Sequence, residues 1–158
     1  MLFDIAATGV PVLIGWTAPE ADEAFLAFDR DHDGAITSGA ELFGTATPLR
    51  SGVAAGNGFV ALAELDDDRS GSIDASDAVW SSLLLWRDAN HDGVSQPAEL
   101  TPIVATVVRR IDLAWHWSGR RDRFGNVFRY ESQIRLATHG SAPVVEPLYD
   151  IFFVRVSR

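Results

Sequence analysis

Two hydrophobic periods divide this chain. Up to Arg87, apolar residues recur at helical spacing: Ala21, Ala24, Phe25 and Phe28, then Phe59, Leu62, Ala63 and Leu65, then Val79, Trp80, Leu83 and Leu84. Thr17-Ala18-Pro19-Glu20 has the form of a capping box, so the first group predicts a helix running to Phe28. The second predicts a two-turn helix over 59–65, and the third a helix over 77–87. Each group runs into an acidic break that contains glycine: Asp29-Arg30-Asp31-His32-Asp33-Gly34, Asp66-Asp67-Asp68-Arg69-Ser70-Gly71 and Asp88-Ala89-Asn90-His91-Asp92-Gly93. The breaks begin 37 and 22 residues apart, which makes a helix-then-loop repeat with one helix shared between the second and third loops.

After Pro102 the period falls to two. Ile111, Leu113, Trp115 and Trp117 alternate with Arg110, Asp112, Ala114 and His116, while Phe128, Tyr130, Ile134 and Leu136 alternate with Arg129, Glu131, Gln133 and Arg135. This predicts two antiparallel strands with one buried face. A third strand is expected over 148–156, where Phe152 and Phe153 side by side imply cover on both faces. At the other end, Leu2 to Trp16 is apolar and punctuated by Gly9, Pro11 and Gly15, which suits short strands. The expected fold class is α+β, with three helix-loop units packed against a small antiparallel sheet. Its expected divisions are N-terminal strands over 1–17, a loop-bearing region over 18–105, and an antiparallel β region over 106–158 packed on it as one domain.

Composition narrows the function classes. With 158 residues, 47% hydrophobic, and 16 aromatic side chains, the chain can bury a core and is not disordered. Absence of cysteine removes disulfide scaffolds, thiolate metal sites and cysteine nucleophiles. No apolar run approaches the roughly 20 residues of a membrane helix. Met1 to Gly9 lacks the basic start and apolar core of a signal peptide, so an excised or internal module is expected. The net charge of −9 is unevenly spread: residues 1–105 carry 17 acids against 4 arginines, and residues 106–158 carry 5 acids against 9. The acidic half argues against a nucleic-acid partner. Every basic residue is arginine, a bias that points to genome composition before chemistry.

The three loops share one phase of oxygen-bearing residues. Calcium takes six to eight oxygens, and a loop that encircles it supplies them from positions 1, 3, 5, 7 (a backbone carbonyl), 9 and 12, with glycine at 6. The second loop offers Asp66, Asp68, Ser70, the Ser72 carbonyl, Asp74 and Asp77 in this order. The third offers Asp88, Asn90, Asp92, the Val94 carbonyl and Glu99, with Ser95 at the usually apolar position 8 that pairs one loop with its neighbour. In the first loop Asp29, Asp31, Asp33 and the Ala35 carbonyl are in register, but position 12 is Ala40. A one-residue insertion near Ser38-Gly39 lets Glu41 close a 13-residue loop. Eleven ligand-position carboxylates in three short loops repel one another unless cations are present, and three bound calcium ions would bring the charge from −9 to −3.

With these residues in hand, the runs from Phe28 to Gly44 and from Leu85 to Leu100 resemble the EF-hand superfamily, in particular the dockerin-like calcium-binding modules of large bacterial secreted or surface proteins. The resemblance implies two to three bound Ca2+ ions, an extracellular or cell-surface setting, no intrinsic catalysis, and a structural, assembly or adhesion role, with a protein partner or the remainder of a larger chain. It also implies an earlier loop at Asp4-Ile5-Ala6-Ala7-Thr8-Gly9, where only Asp4 and Gly9 keep the pattern, so a fourth site is not expected. Two other functions compete: a calcium-responsive regulatory domain, disfavoured by a single Met, and a hydrolase or carbohydrate-binding domain with scaffold calcium. His32 and His91 fall at outward positions of their loops, His116 and Asp112 lack a nucleophile beside them, and Trp80, Trp86, Trp115 and Trp117 are expected in the core.

Overall fold

The structure, a computed structural model, describes residues 1–17, 23–137 and 144–156. Its strands are β1 (Leu2–Phe3), β2 (Val12–Leu13), β3 (Phe25–Phe28), β4 (Ser72–Asp74), β5 (Leu83–Trp86), β6 (Leu100–Pro102), β7 (Val108–Asp112), β8 (His116–Arg121), β9 (Val127–Leu136) and β10 (Val144–Phe152). The one α-helix among the described residues, α1 (Gly58–Ala63), is capped by Asn57, whose side chain accepts from the Val60 N–H. All pairings between these strands are antiparallel. β1 pairs with β2; β3, β5 and β6 form a three-stranded sheet; β9 lies between β10 on one side and β7 and β8 end to end on the other, with β4 beyond β7.

This is a mostly β protein, and the expectation of three EF-hand-type helix-loop units is wrong. Only the second acidic loop follows an α-helix. Phe25 to Phe28 is strand β3, and the capping box expected at Thr17 to Glu20 extends outside the described residues. The helix expected over 77–87 is a single 3₁₀ turn, Ala78–Ser82, running into strand β5.

The reason is burial on both faces. Leu26, Phe28, Leu83 and Leu85 face one core, where Phe59, Leu62, Ile73, Val79, Trp80, Ile103, Val108 and Ile111 are buried. Phe25, Ala27, Leu84 and Trp86 face a second core of Phe3, Ile14, Trp16, Ile36 and Leu42. The three-stranded sheet is therefore a partition between two cores, and its strands β3 and β5 are apolar at every position. A short run of that kind carries no period by which a strand is told from a helix.

The C-terminal region keeps its period of two but differs in detail. The run from Arg110 to Trp117 is two strands, β7 and β8, interrupted where the Ser132 hydroxyl lies 2.6 and 2.8 Å from the carbonyls of Asp112 and Ala114. Beyond the break the side chains leave the core: Trp115 is 42% and Trp117 60% exposed, both edge-on to Tyr130, which corrects their expected burial. Trp80 and Trp86 are buried. Among the described residues no helix is long and apolar enough to cross a membrane.

Candidate metal centre

The acidic loops begin as backbone rings. In each, the N–H of the sixth residue, a glycine, donates to the carboxylate of the first: Gly34 to Asp29 at 3.0 Å, Gly71 to Asp66 at 2.8 Å, Gly93 to Asp88 at 2.9 Å. Closing so small a ring needs left-handed backbone at two places. The fourth residues, His32, Arg69 and His91, have φ of 61°, 58° and 57°, and the glycines have φ of 85°, 79° and 73°. Asp4 to Gly9 has the same form without the ligands: Ala7 and Gly9 have φ of 52° and 78°, and Gly9 N–H donates to Asp4 at 2.6 Å. These four account for every non-glycine residue of positive φ among those described.

The first ring gathers Asp29, Asp31, Asp33 and Glu41, each with an oxygen within 4.8 Å of the others. Oxygens at about 2.3–2.6 Å from one calcium ion cannot be much farther apart than that. Glu41 is only 4% exposed. Its Oε2 accepts from the N–H and hydroxyl of Thr37 at 2.7 and 3.1 Å, while its Oε1, like Asp29 Oδ1, is buried without a hydrogen-bond partner. The one-residue insertion is where another loop docks, since Gly39 N–H donates to the Asp4 carbonyl at 2.9 Å and a side chain on Gly39 would collide with the backbone of Ile5. Arg30 turns away from the ring, its Nε donating to the Ala40 carbonyl and its guanidinium lying over Phe28 and Phe43. Burial pulls its pKa down, against the charge of Glu41. The Ala35 N–H is held by Asp33 at 2.8 Å, and His32 is exposed.

The second ring brings together Asp66, Asp68 and Asp77. Asp77 is also buried, but both its oxygens are engaged, accepting from the N–H groups of Asp67 at 2.7 Å and Asp74 at 2.9 Å. Asp74 accepts from Ser76 N–H and has its other oxygen 3.9 Å from Arg110. The Ser70 hydroxyl lies 2.8 Å from that of Ser72 and 3.3 Å from its carbonyl. Asp66 has a pKa below the ordinary carboxylate value: desolvation, the largest single effect, opposes ionisation, but donation from the backbone N–H groups of Gly71, Ser70 and Arg69 and the side-chain interaction with Asp68 together outweigh it.

The third ring is tied up in itself. Asp88 accepts from Asp92 N–H, Gly93 N–H and, at 2.7 Å, the indole N–H of Trp16. Asp92 accepts from Val94 N–H and from the amides of Asn90 and Gln96, and Glu99 accepts from the N–H of Ala89 and Gln96. The Val94 N–H is the main cause of a lowered pKa at Asp92, against slight desolvation, with Gln96 and Asn90 adding to it. The two acidic groups that gather within 4.8 Å among the described residues are those of the first and second rings. The third places its ligand residues in the same order without drawing Asp88, Asp92 and Glu99 into such a group. Sequence reasoning passed over Trp16, 72 residues from Asp88 with no local signal, and Thr37, whose spacing of four from Glu41 was legible.

A family model described as the SPM domain matches residues 1–149, nearly the whole chain. The chain belongs to the SPM domain family. This replaces the EF-hand and dockerin resemblance, which the mostly β architecture already contradicts. The SPM domain here is similar to a curated protein of Neisseria meningitidis serogroup C, "Iron-regulated protein FrpA", at 40% identity over 114 residues. That match covers 72% of this chain and 10% of the relative, so the SPM domain spans about a tenth of the length of the protein it matches.

Proposed function

We propose that this SPM domain binds divalent cations of the size of calcium in its acidic loops, and that the ions stabilise a non-catalytic module of a larger extracellular protein. The observation that carries the reading is Glu41. A carboxylate oxygen that is buried and unpartnered costs several kcal/mol, and here the side chain that carries it brings an oxygen within 4.8 Å of three more carboxylates, an arrangement that a hard cation resolves. Asp29, Asp31, Asp33, the Ala35 carbonyl and Glu41 would hold one ion. Asp66, Asp68, Ser70, the Ser72 carbonyl and Asp77, with Asp74 at the rim, would hold a second. Asp88, Asn90, Asp92, the Val94 carbonyl and Glu99 would take a third after giving up internal hydrogen bonds. Calorimetry and native mass spectrometry with calcium chloride test this. Two to three ions per chain are expected, and none would overturn it.

A second reading, carbohydrate binding with cations as scaffold, has one observation in its favour. Trp115 and Trp117 stand exposed beside Tyr130 as aromatic faces of the kind on which sugar rings stack. Retardation in polysaccharide affinity gels that is lost in Trp117→Ala would support it.

A further inference from the structure

We infer that Ser95, in the third loop, is a positioning residue for the cation site of the first. The inference rests on the cation reading and adds what sets the strength of that site. Its hydroxyl is buried and lies against the backbone of Ile36, accepting from the N–H at 2.6 Å and lying 3.2 Å from the carbonyl. Ile36 stands between two parts of the ring. Before it is Ala35, whose carbonyl is the backbone ligand. After it is Thr37, whose N–H and hydroxyl hold Glu41 Oε2 and leave Oε1 as the unpartnered oxygen of a carboxylate grouped with Asp29, Asp31 and Asp33.

The second ring solves the same problem differently. Its corresponding residue, Ile73, lies in strand β4 and pairs through the backbone with Ile111 of β7. Ile36 lies outside every strand, so the Ser95 hydroxyl does for it what the sheet does for Ile73. Without that hydroxyl the Ile36 N–H is a buried donor with no acceptor, and Thr37 and Glu41 lose the fixed point from which they are aimed. The second ring makes no contact with Ser95 through these bonds and serves as a control within the same molecule.

Amide NMR of the full chain during calcium chloride titration reads the two rings separately through Gly34 and Gly71. In Ser95→Ala the Gly34 midpoint is expected at a calcium concentration higher by on the order of tenfold, the scale of one buried hydrogen bond lost with its partner stranded. The Gly71 midpoint stays in place, and Ser95→Thr, which restores a hydroxyl, returns Gly34 toward the parent value. Unchanged Gly34 midpoints in Ser95→Ala, or equal displacement of both, would overturn the inference while leaving cation binding intact. Absence of any calcium response at Gly34 in the parent chain would overturn the cation reading at that loop, and this inference with it.

Discussion

The first and second acidic loops share a backbone ring and differ in how each is finished. In the second, the closing carboxylate of Asp77 spends both oxygens on the N–H groups of Asp67 and Asp74, and the loop's own Ser72–Asp74 is strand β4 of a five-stranded sheet. In the first, the closing carboxylate of Glu41 spends one oxygen on Thr37 and leaves the other buried and bare. One ring satisfies itself, and the other is complete only with something positive inside it. Acid content alone does not separate them, since both offer four ligand-position carboxylates. The orphaned oxygen does.

The widest gap between the two should appear on chelation. A site at about 100 times its Kd contributes roughly 2.7 kcal/mol, which for a domain of this size is about 5–10 °C in Tm. The parent chain should lose that much in chelator. Glu41→Gln, which keeps an acceptor for Thr37 and removes the orphaned charge, should lose the larger part of the calcium-dependent gain while melting in chelator no lower than the parent. Equal gains in parent and variant by differential scanning calorimetry would erase the distinction.

Asp77→Ala inverts the pattern. It strands two backbone donors whether or not calcium is present, so urea unfolding in chelator should show a loss of about 2 kcal/mol. A loss visible only with calcium would mean that Asp77 acts mainly as a ligand. A smaller effect sharpens the comparison from the rim: Arg110→Gln frees Asp74 from a partly exposed arginine 3.9 Å away and should raise calcium affinity at the second loop by about twofold to fivefold, with no change at the first.

The smallest effect lies outside both loops. Asp150 of β10 is buried against the N-terminus of α1. Burial raises its pKa, against the Gly58 N–H and the charge of Arg129. Because the folded pKa is raised, the fold favours the protonated form. That contribution is fully present below the ordinary carboxylate pKa and is lost as pH rises through the raised value. Asp150→Asn should therefore match the parent in acid and melt slightly higher at neutral pH, with calcium affinities unchanged.

Much of this was legible before the structure. The phase of Asp29, Asp31, Asp33 and Gly34 marks the ring because only a left-handed residue closes it, and the period of two after Pro102 marks strands covered on one face. The late Glu41 could be placed because a one-residue insertion is visible against the other two loops. What was hidden depended on partners distant in sequence. Phe25 to Phe28 and Leu83 to Trp86 look helical until one knows that each face meets a different core. Ser95 stood out only as a missing apolar residue, and its role required Ile36, 59 positions earlier, to be beside it.

The loop at Asp4 has a consequence for kinetics. It holds the shape of the cation rings with alanine where a ligand would stand, fastened by its own carboxylate to Thr8 and Gly9. A mould that persists without its casting was not formed by it. If the neighbouring rings are set in the same way by their own hydrogen bonds, an arriving ion finds its seat already cut and pays little for ordering the chain. The pace of capture would then be governed by how fast the ion sheds water rather than by how fast the protein rearranges.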